Sequence, residues 1–164
     1  MRHTTVLLSP KAIAHRIHLS VSELRTLRRR GLFPDPDARI GQRYGWEPDR
    51  VDRFFEDDQG RMMNLARSRR PSVPFVPNST PAWWRVDAVR YLGLRELADA
   101  AVLTSAAVWT HYYSGKLPEP DVMIGHVNRV AGWTPVHARA LAESQGWQFD
   151  LARLDDTSDL GDYL

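Results

Sequence analysis

The 164-residue sequence contains no cysteine. Disulfide bonds, thiolate metal sites and cysteine nucleophiles are therefore excluded, and a reducing compartment is compatible with the chain. The sequence also lacks any apolar run near the roughly 20 residues that a membrane-spanning helix needs. Its first neutral run, 4–8, is shorter than the about 7–15 apolar residues of a secretory signal. We therefore expect a soluble, cytoplasmic protein that does not bind membranes.

Common catalytic signatures are missing as well. The sequence has no Gly-rich phosphate-binding loop and no nucleophile-elbow pattern. His15 and His18 are spaced for one helical face, but the Glu of the metalloprotease order and a further nearby ligand are lacking. We predict a protein that is not an enzyme and that has no metal site and no cofactor.

Positive charge is concentrated in parts of a chain whose net charge is only +2. Residues 59–80 hold four arginines and no acid, and 25–30 hold four more arginines, whereas 146–164 hold five aspartates against one arginine. Local basic patches of this kind attract polyanions. The charge distribution indicates a polyanionic partner for the front half of the chain.

An internal repeat organises the sequence. The segment 31–41, GLFPDPDARIG, recurs as 115–125, GKLPEPDVMIG, at an offset of 84 residues. A Gly-Trp-x-Pro sequence then closes each copy, at 45–48 and at 132–135. Agreement that is ordered along the chain in this way indicates the duplication of a folding unit. The three extra residues before the second closure predict a longer loop tip there.

Both copies predict the same elements: two short helices, a β-hairpin and a third helix. Ser20 or Ser22 can cap the second helix of the first copy, and Gly31 can end it. Two helices joined by a short turn form a helix-turn-helix, and the hairpin would be its wing. The predicted elements are helices over 11–17 and 20–31, a hairpin over 32–44 and a helix from Pro48 in the first copy, and 96–101, 104–114, 118–132 and a helix from Pro135, capped by Thr134, in the second.

These elements predict a mainly α fold with small β wings. We expect two tandem winged helix-turn-helix domains, over 1–58 and 82–146, joined by a basic, Pro-rich linker over 59–81 and followed by an acidic tail over 147–164. Trp46 and Trp133 hold the same closure position in the two copies. We therefore expect both in the core rather than stacked on bases.

Four segments carry a resemblance to a known family: Leu24-Arg25, 29–34 (RRGLFP), Arg43-Tyr44 and 49–54. In their order and spacing they resemble the DNA-binding domain of the MerR superfamily and of the related phage excisionases. The resemblance covers roughly 10–56, and a more divergent form covers roughly 92–145. It implies that the second helix enters the major groove, that Arg25 contacts DNA and that Arg43 and Tyr44 touch the DNA backbone.

The residues of the first copy support a DNA surface independently. With Leu24 and Leu27 in the core, the rest of the second helix faces solvent or flanks the seam. Arginines there can neutralise phosphates and bind guanine bidentately, although a run of arginines is also compatible with a solvated helix face. The predicted contacts of this copy are Ser22, Arg25, Thr26, Arg28, Arg29, Arg39, Gln42, Arg43 and Tyr44. In the linker, Arg67, Arg69 and Arg70 either follow the DNA backbone or only solubilise the chain.

The second copy offers a different surface, because its second helix has no Lys or Arg before Lys116. Hydroxyls, histidines and a longer wing can still specify bases, since charge mainly supplies affinity. A core role or a protein-binding face is the alternative for its aromatics. The predicted contacts of this copy are Ser105, Trp109, Thr110, His111, Tyr113, Lys116, His126, Asn128 and Arg129.

Taken together, the sequence predicts a sequence-specific double-stranded DNA-binding protein, nucleoid-associated, that represses transcription from an asymmetric site. One alternative is an excisionase-like architectural factor that bends DNA for a recombinase. Another is an adaptor in which the second copy or the acidic tail binds a protein partner.

Overall fold

The computed structural model describes residues 4–56, 87–127 and 129–154. The predicted linker, with Arg67, Arg69 and Arg70, lies outside the described residues, and so do Asn128 and most of the acidic tail. Both copies of the repeat, apart from position 128, lie within the described ranges.

Within those ranges, each half of the chain contains three strands and three α-helices in the same order. The first half has β1 (Thr5–Leu7), α1 (Pro10–Arg16), α2 (Val21–Arg29), β2 (Ala38–Ile40), β3 (Arg43–Gly45) and α3 (48–56). The second half has β4 (Val89–Tyr91), α4 (Leu94–Ala100), α5 (Ser105–Tyr113), β5 (Val122–Ile124), β6 (Val130–Gly132) and α6 (Pro135–Ser144), followed by a short 3-10 helix (Leu151–Arg153).

Local sequence signals set the helix ends. Ser20, not Ser22, caps α2, and its side chain and that of Glu23 form a complete capping box. Thr134 caps α6 by accepting from the His137 amide. Gly31 has a positive φ of 66° just beyond the end of α2, a conformation that glycine adopts without steric cost. The predicted helices and caps are confirmed, with helix bounds that shift by one or two residues, and the predicted hairpins are present, but their strands begin later than predicted, at Ala38 and Val122.

The two halves exchange their first strands. Strand β1 pairs in parallel with β5 of the second half, with Thr5 opposite Val122. Strand β4 pairs in parallel with β2 of the first half, with Val89 opposite Ala38. Because each hairpin pairs antiparallel within its own half, two mixed three-stranded sheets result, with the orders β1-β5-β6 and β3-β2-β4. Neither sheet is complete without a strand from the other half.

This exchange corrects the predicted fold class. The described residues form an α+β fold with two mixed sheets, not a mainly α pair of tandem winged helix-turn-helix domains with small wings. The physical reason lies in β1 and β4, which the sequence pattern did not predict. They convert each expected wing from a two-stranded hairpin into a sheet that both halves build.

Burial follows the same plan. Each half has a core built mainly from its helices. Trp46 is 1% exposed and Trp133 is 0% exposed, so the prediction that both tryptophans are core residues is confirmed. A third cluster, built around Leu7, Ile40 and Ile124, joins the two sheets. Among the described residues, none of the helices combines the length and the apolar character needed to span a bilayer.

Candidate nucleic-acid interface

A cleft of about 920 Å³ lies between α2 and the β2–β3 hairpin. We call it the α2 cleft. The capped start of α2 and the buried Leu24 and Leu27 orient the helix, so that one of its polar faces lines the cleft. Of the predicted contacts, the cleft brings together Ser22, Arg25, Arg28 and Arg29 from α2 with Gln42, Arg43 and Tyr44 from the hairpin.

Arg28 connects the two walls of this cleft. Its guanidinium carbon lies 4.1 Å from the centre of the Tyr44 ring and 5.8 Å from that of Trp46. A guanidinium over an aromatic face is attracted by the ring quadrupole, by about 0.5–1 kcal/mol at an exposed site. Arg28 therefore holds a defined position between helix and hairpin, where it lines the cleft.

The charges of the α2 cleft are mostly uncompensated. Within the described ranges, Arg25, Arg28, Arg29 and Arg43 form no ion pair with a carboxylate. Among the residues that the structure describes, Asp35 is the single acid that lines the cleft. The cleft therefore presents four cationic side chains with capacity for anionic ligands.

Other arginines of the first half are used differently. Arg16 pairs with Asp52 at 2.7 Å, and Arg50 pairs with Asp37.

The Thr26 hydroxyl forms its hydrogen bonds within α2: Thr26 Oγ1 donates to the Ser22 carbonyl at 3.0 Å and accepts from Arg29 Nη2 at 3.3 Å. Thr26 does not line the α2 cleft, so the structure does not bring it to the other predicted contacts.

A second cleft, of about 700 Å³, lies along α4 and α5. We call it the α5 cleft. By the 84-residue offset it is the counterpart of the α2 cleft, and its helix positions carry aromatics in place of arginines. Trp109 stands where the first half has Arg25, and Tyr112 and Tyr113 likewise replace Arg28 and Arg29.

Basic residues nevertheless surround the α5 cleft. Arg39 and Arg43 reach it from the first half's hairpin, together with the neutral Gln42, and Arg95 and Arg129 reach it from the second half. Arg39 therefore belongs to the α5 cleft rather than to the α2 cleft, and its Nε donates to the Gly41 carbonyl at 2.8 Å. The contributions of Arg39 and Arg43 to this cleft follow from the exchange of β4 onto β2, which no local sequence signal indicates.

Several predicted contacts of the second half lie elsewhere. His111 is half-buried, with its ring edge-on to Trp147 at 5.1 Å between centres. Lys116 lines a separate surface near α6. Ser105, Thr110 and His126 are exposed but do not line the α5 cleft. Of the contacts predicted in the second half, the α5 cleft brings together Trp109, Tyr113 and Arg129. Tyr112 and Arg95 also line this cleft and were not predicted.

The two clefts adjoin. Gln42, Arg43 and Val130 line both of them, which makes the hairpin tip a common wall between an arginine-rich cleft and an aromatic cleft with a basic rim.

The described residues contain no group of three or more side chains suited to hold a metal ion. Comparison with protein-family models, with curated proteins and with solved structures gave no match.

Proposed function

We propose that this chain binds double-stranded DNA sequence-specifically through the α2 cleft and regulates transcription at the sites it occupies. One observation carries the proposal: four arginines free of carboxylate partners within the described residues converge on a single cleft between a helix and a hairpin. Uncompensated charge of this kind favours a polyanion, because arginines that neutralise its phosphates release the counterions bound to it.

The helix that lines the cleft supports duplex DNA in particular. A helix fits the major groove, which is about 12 Å wide, and guanidinium groups can bind guanine bidentately there. In this arrangement Arg25 and Arg29 on α2 face base edges, and Gln42 and Arg43 on the hairpin contact phosphates. The resemblance of 10–56 to the MerR and excisionase DNA-binding segment implies that Arg25 contacts DNA and that Arg43 touches the DNA backbone.

Differences between the halves support an asymmetric site. The α2 and α5 clefts carry different side chains at equivalent positions, so the two halves would contact DNA in different ways. A nucleoid-associated chain that covers such a site can repress transcription by occluding a promoter. It needs no further effector to do so.

Arg25→Ala tests the proposal on the chain's own site, which selection from random duplexes would first identify. Loss of a bidentate base contact costs about 1–3 kcal/mol, so the affinity should fall about 5- to 150-fold. Arg30→Ala is the matched control, because Arg30 caps the same helix and carries the same charge but does not line the cleft. It should change the affinity severalfold at most.

Equal affinities of Arg25→Ala and the unchanged protein would contradict this docking of α2. Genome-wide binding tests the regulatory part separately, since we expect sites over promoters. Sites confined to recombination attachment regions would contradict that part while leaving DNA binding intact.

A further inference from the structure

The α5 cleft has the composition of a stacking platform rather than of a groove-reading helix. The rings of Trp109 and Tyr113 are stacked, with centres 5.3 Å apart and planes at 20°. Both are large aromatics left open to solvent, with exposures of 42% for Trp109 and 76% for Tyr113. The ring of Tyr112 lies edge-on to both, with its centre 6.2 Å from that of Trp109 and 5.6 Å from that of Tyr113. Because Tyr112 is half-buried, it supports the pair from the protein side.

The rim of the cleft supplies positive charge next to these rings. Arg43, Arg95 and Arg129 line it beside the aromatics. Arg95 is 85% exposed and pairs only weakly with Asp99 at 4.0 Å. Asp99 also lines the cleft and offsets part of this positive charge. Glu96, the other acid of the cleft, accepts from the buried Arg90 at 2.8 Å and is thereby neutralised.

We propose that the α5 cleft binds unpaired bases of a single DNA strand that continues from the duplex held in the α2 cleft. The bases stack on the Trp109–Tyr113 pair, and the rim arginines contact the phosphates. Successive aromatic stacking with a basic groove is how single strands are held without sequence preference. This inference rests on the proposed duplex binding by the α2 cleft.

Continuity between the clefts favours DNA over a peptide as the occupant. Arg43 and the neutral Gln42 line both clefts, and Arg39 lines the α5 cleft beside them, so a strand that leaves the duplex at the hairpin tip meets Arg43 and Arg39 on its way to the rings. An apolar protein segment would gain binding energy from contact with the rings but none from the arginines. The chain would then recognise a junction between paired and unpaired DNA.

Binding of full-length protein to labelled DNA tests this, by fluorescence anisotropy at a fixed salt concentration. The probes are the blunt duplex site and the same duplex with ten thymidines added at one strand end, each of the four ends in turn. An overhang at the duplex end beside the hairpin should tighten binding about tenfold or more, and overhangs at the opposite end should not.

Variants assign the gain to the rings. Tyr113→Leu and Trp109→Leu should remove the overhang gain and leave the affinity for blunt duplex unchanged, whereas Tyr113→Phe should retain the gain. Circular dichroism melts establish that the variants fold. Because Tyr113 is mostly exposed, its variants should melt as the unchanged protein does.

The inference is overturned if no overhang tightens binding, if all four do so equally, or if the gain survives in folded Tyr113→Leu and Trp109→Leu proteins. Loss of self-association in these variants, with the overhang gain intact, would also overturn it and would identify a protein-binding face. Failure of the proposed duplex binding is a separate result, seen as absence of binding to the blunt probe.

Discussion

At the scale of single residues, the repeat has kept its structural contacts and changed its cleft. Asp37 accepts from the Glu47 amide and pairs with Arg50. Its counterpart Asp121 accepts from the Thr134 amide and contacts His137 at 3.0 Å. Each carboxylate thus joins the start of its hairpin to the start of the third helix.

The indole contacts are duplicated too: Trp46 Nε1 donates to the Pro34 carbonyl at 2.9 Å, and Trp133 Nε1 donates to the Pro118 carbonyl at 3.3 Å. These residues explain why the closure motif recurs in the sequence. The cleft positions differ between the halves in residue type, although one of them meets the closure tryptophan in both: Arg28 lies 5.8 Å from the Trp46 ring, and the Tyr112 ring is edge-on to Trp133 at 6.0 Å.

One duplicated position is strained, and the strain differs between the halves. His18 and Val102, in the turns between the first two helices of each half, have positive φ values of 55° and 58°. A β-branched residue tolerates this region poorly, whereas Asn and His are enriched in it. Val102 is also 45% exposed, so a polar replacement loses little burial.

We therefore expect Val102→Asn to stabilise the protein by about 1 kcal/mol, because it relieves backbone strain of about 1–3 kcal/mol. Urea denaturation measures the difference. His18→Asn is the matched control at the equivalent position and should gain clearly less. Destabilisation by Val102→Asn would contradict the strained geometry of this turn.

At the scale of elements, helices and hairpins were predictable and two strands were not. Apolar spacing, Ser and Thr caps and glycine stops are local signals, and they determined α1 to α6 to within a residue or two. Strands β1 and β4 have three residues each, as the hairpin strands do, but no adjacent turn joins them to a partner strand. Their partners are remote, as shown by Thr4 Oγ1, which donates to the Pro120 carbonyl 116 positions away.

The same limit applies to the candidate site. The arginines of α2 and of the β2–β3 hairpin were predicted as one surface because the helix and the hairpin are neighbours along the chain. The α5 cleft combines Trp109 and Tyr113 with Arg39 and Arg43 of the other half. That combination depends on strand exchange, so no local pattern could predict it.

Close approach of the sheets requires glycine at two equivalent positions. A Cβ on Gly45 would lie 2.8 Å from Ile124 Cγ1 and 2.9 Å from Leu7 Cβ, and a Cβ on Gly132 would lie 2.8 Å from Ile40 Cδ1. Gly45→Ala and Gly132→Ala should each destabilise the chain by about 1–3 kcal/mol through overpacking.

Thermal and urea unfolding of the two variants measure this effect. Neither glycine has a positive φ, so strain of the backbone is not a competing cause. If either alanine variant were as stable as the unchanged protein, the sheets would have to pack less closely than the structure shows.

At the scale of the whole molecule, each half completes the sheet of the other, as the two subunits of a strand-exchanged dimer do. Val122 and Ile124 of β5 receive β1, just as Ala38 and Ile40 of β2 receive β4. Two copies of one half should therefore satisfy each other in the same way, since β1 and β4 occupy equivalent positions. Exchange of identical elements is a common route to dimers.

We accordingly expect the isolated segment 1–58 to fold only as a homodimer, in which β1 of each copy pairs with β2 of the other. Sedimentation should give a dimer, and the melting temperature should rise with protein concentration because folding and association are linked. Removal of residues 1–8 should abolish both the dimer and the cooperative transition, since it deletes the exchanged strand and Leu7 of the shared cluster. A folded monomer whose melting temperature is independent of concentration would contradict the exchange, because that half would then complete its sheet and core alone.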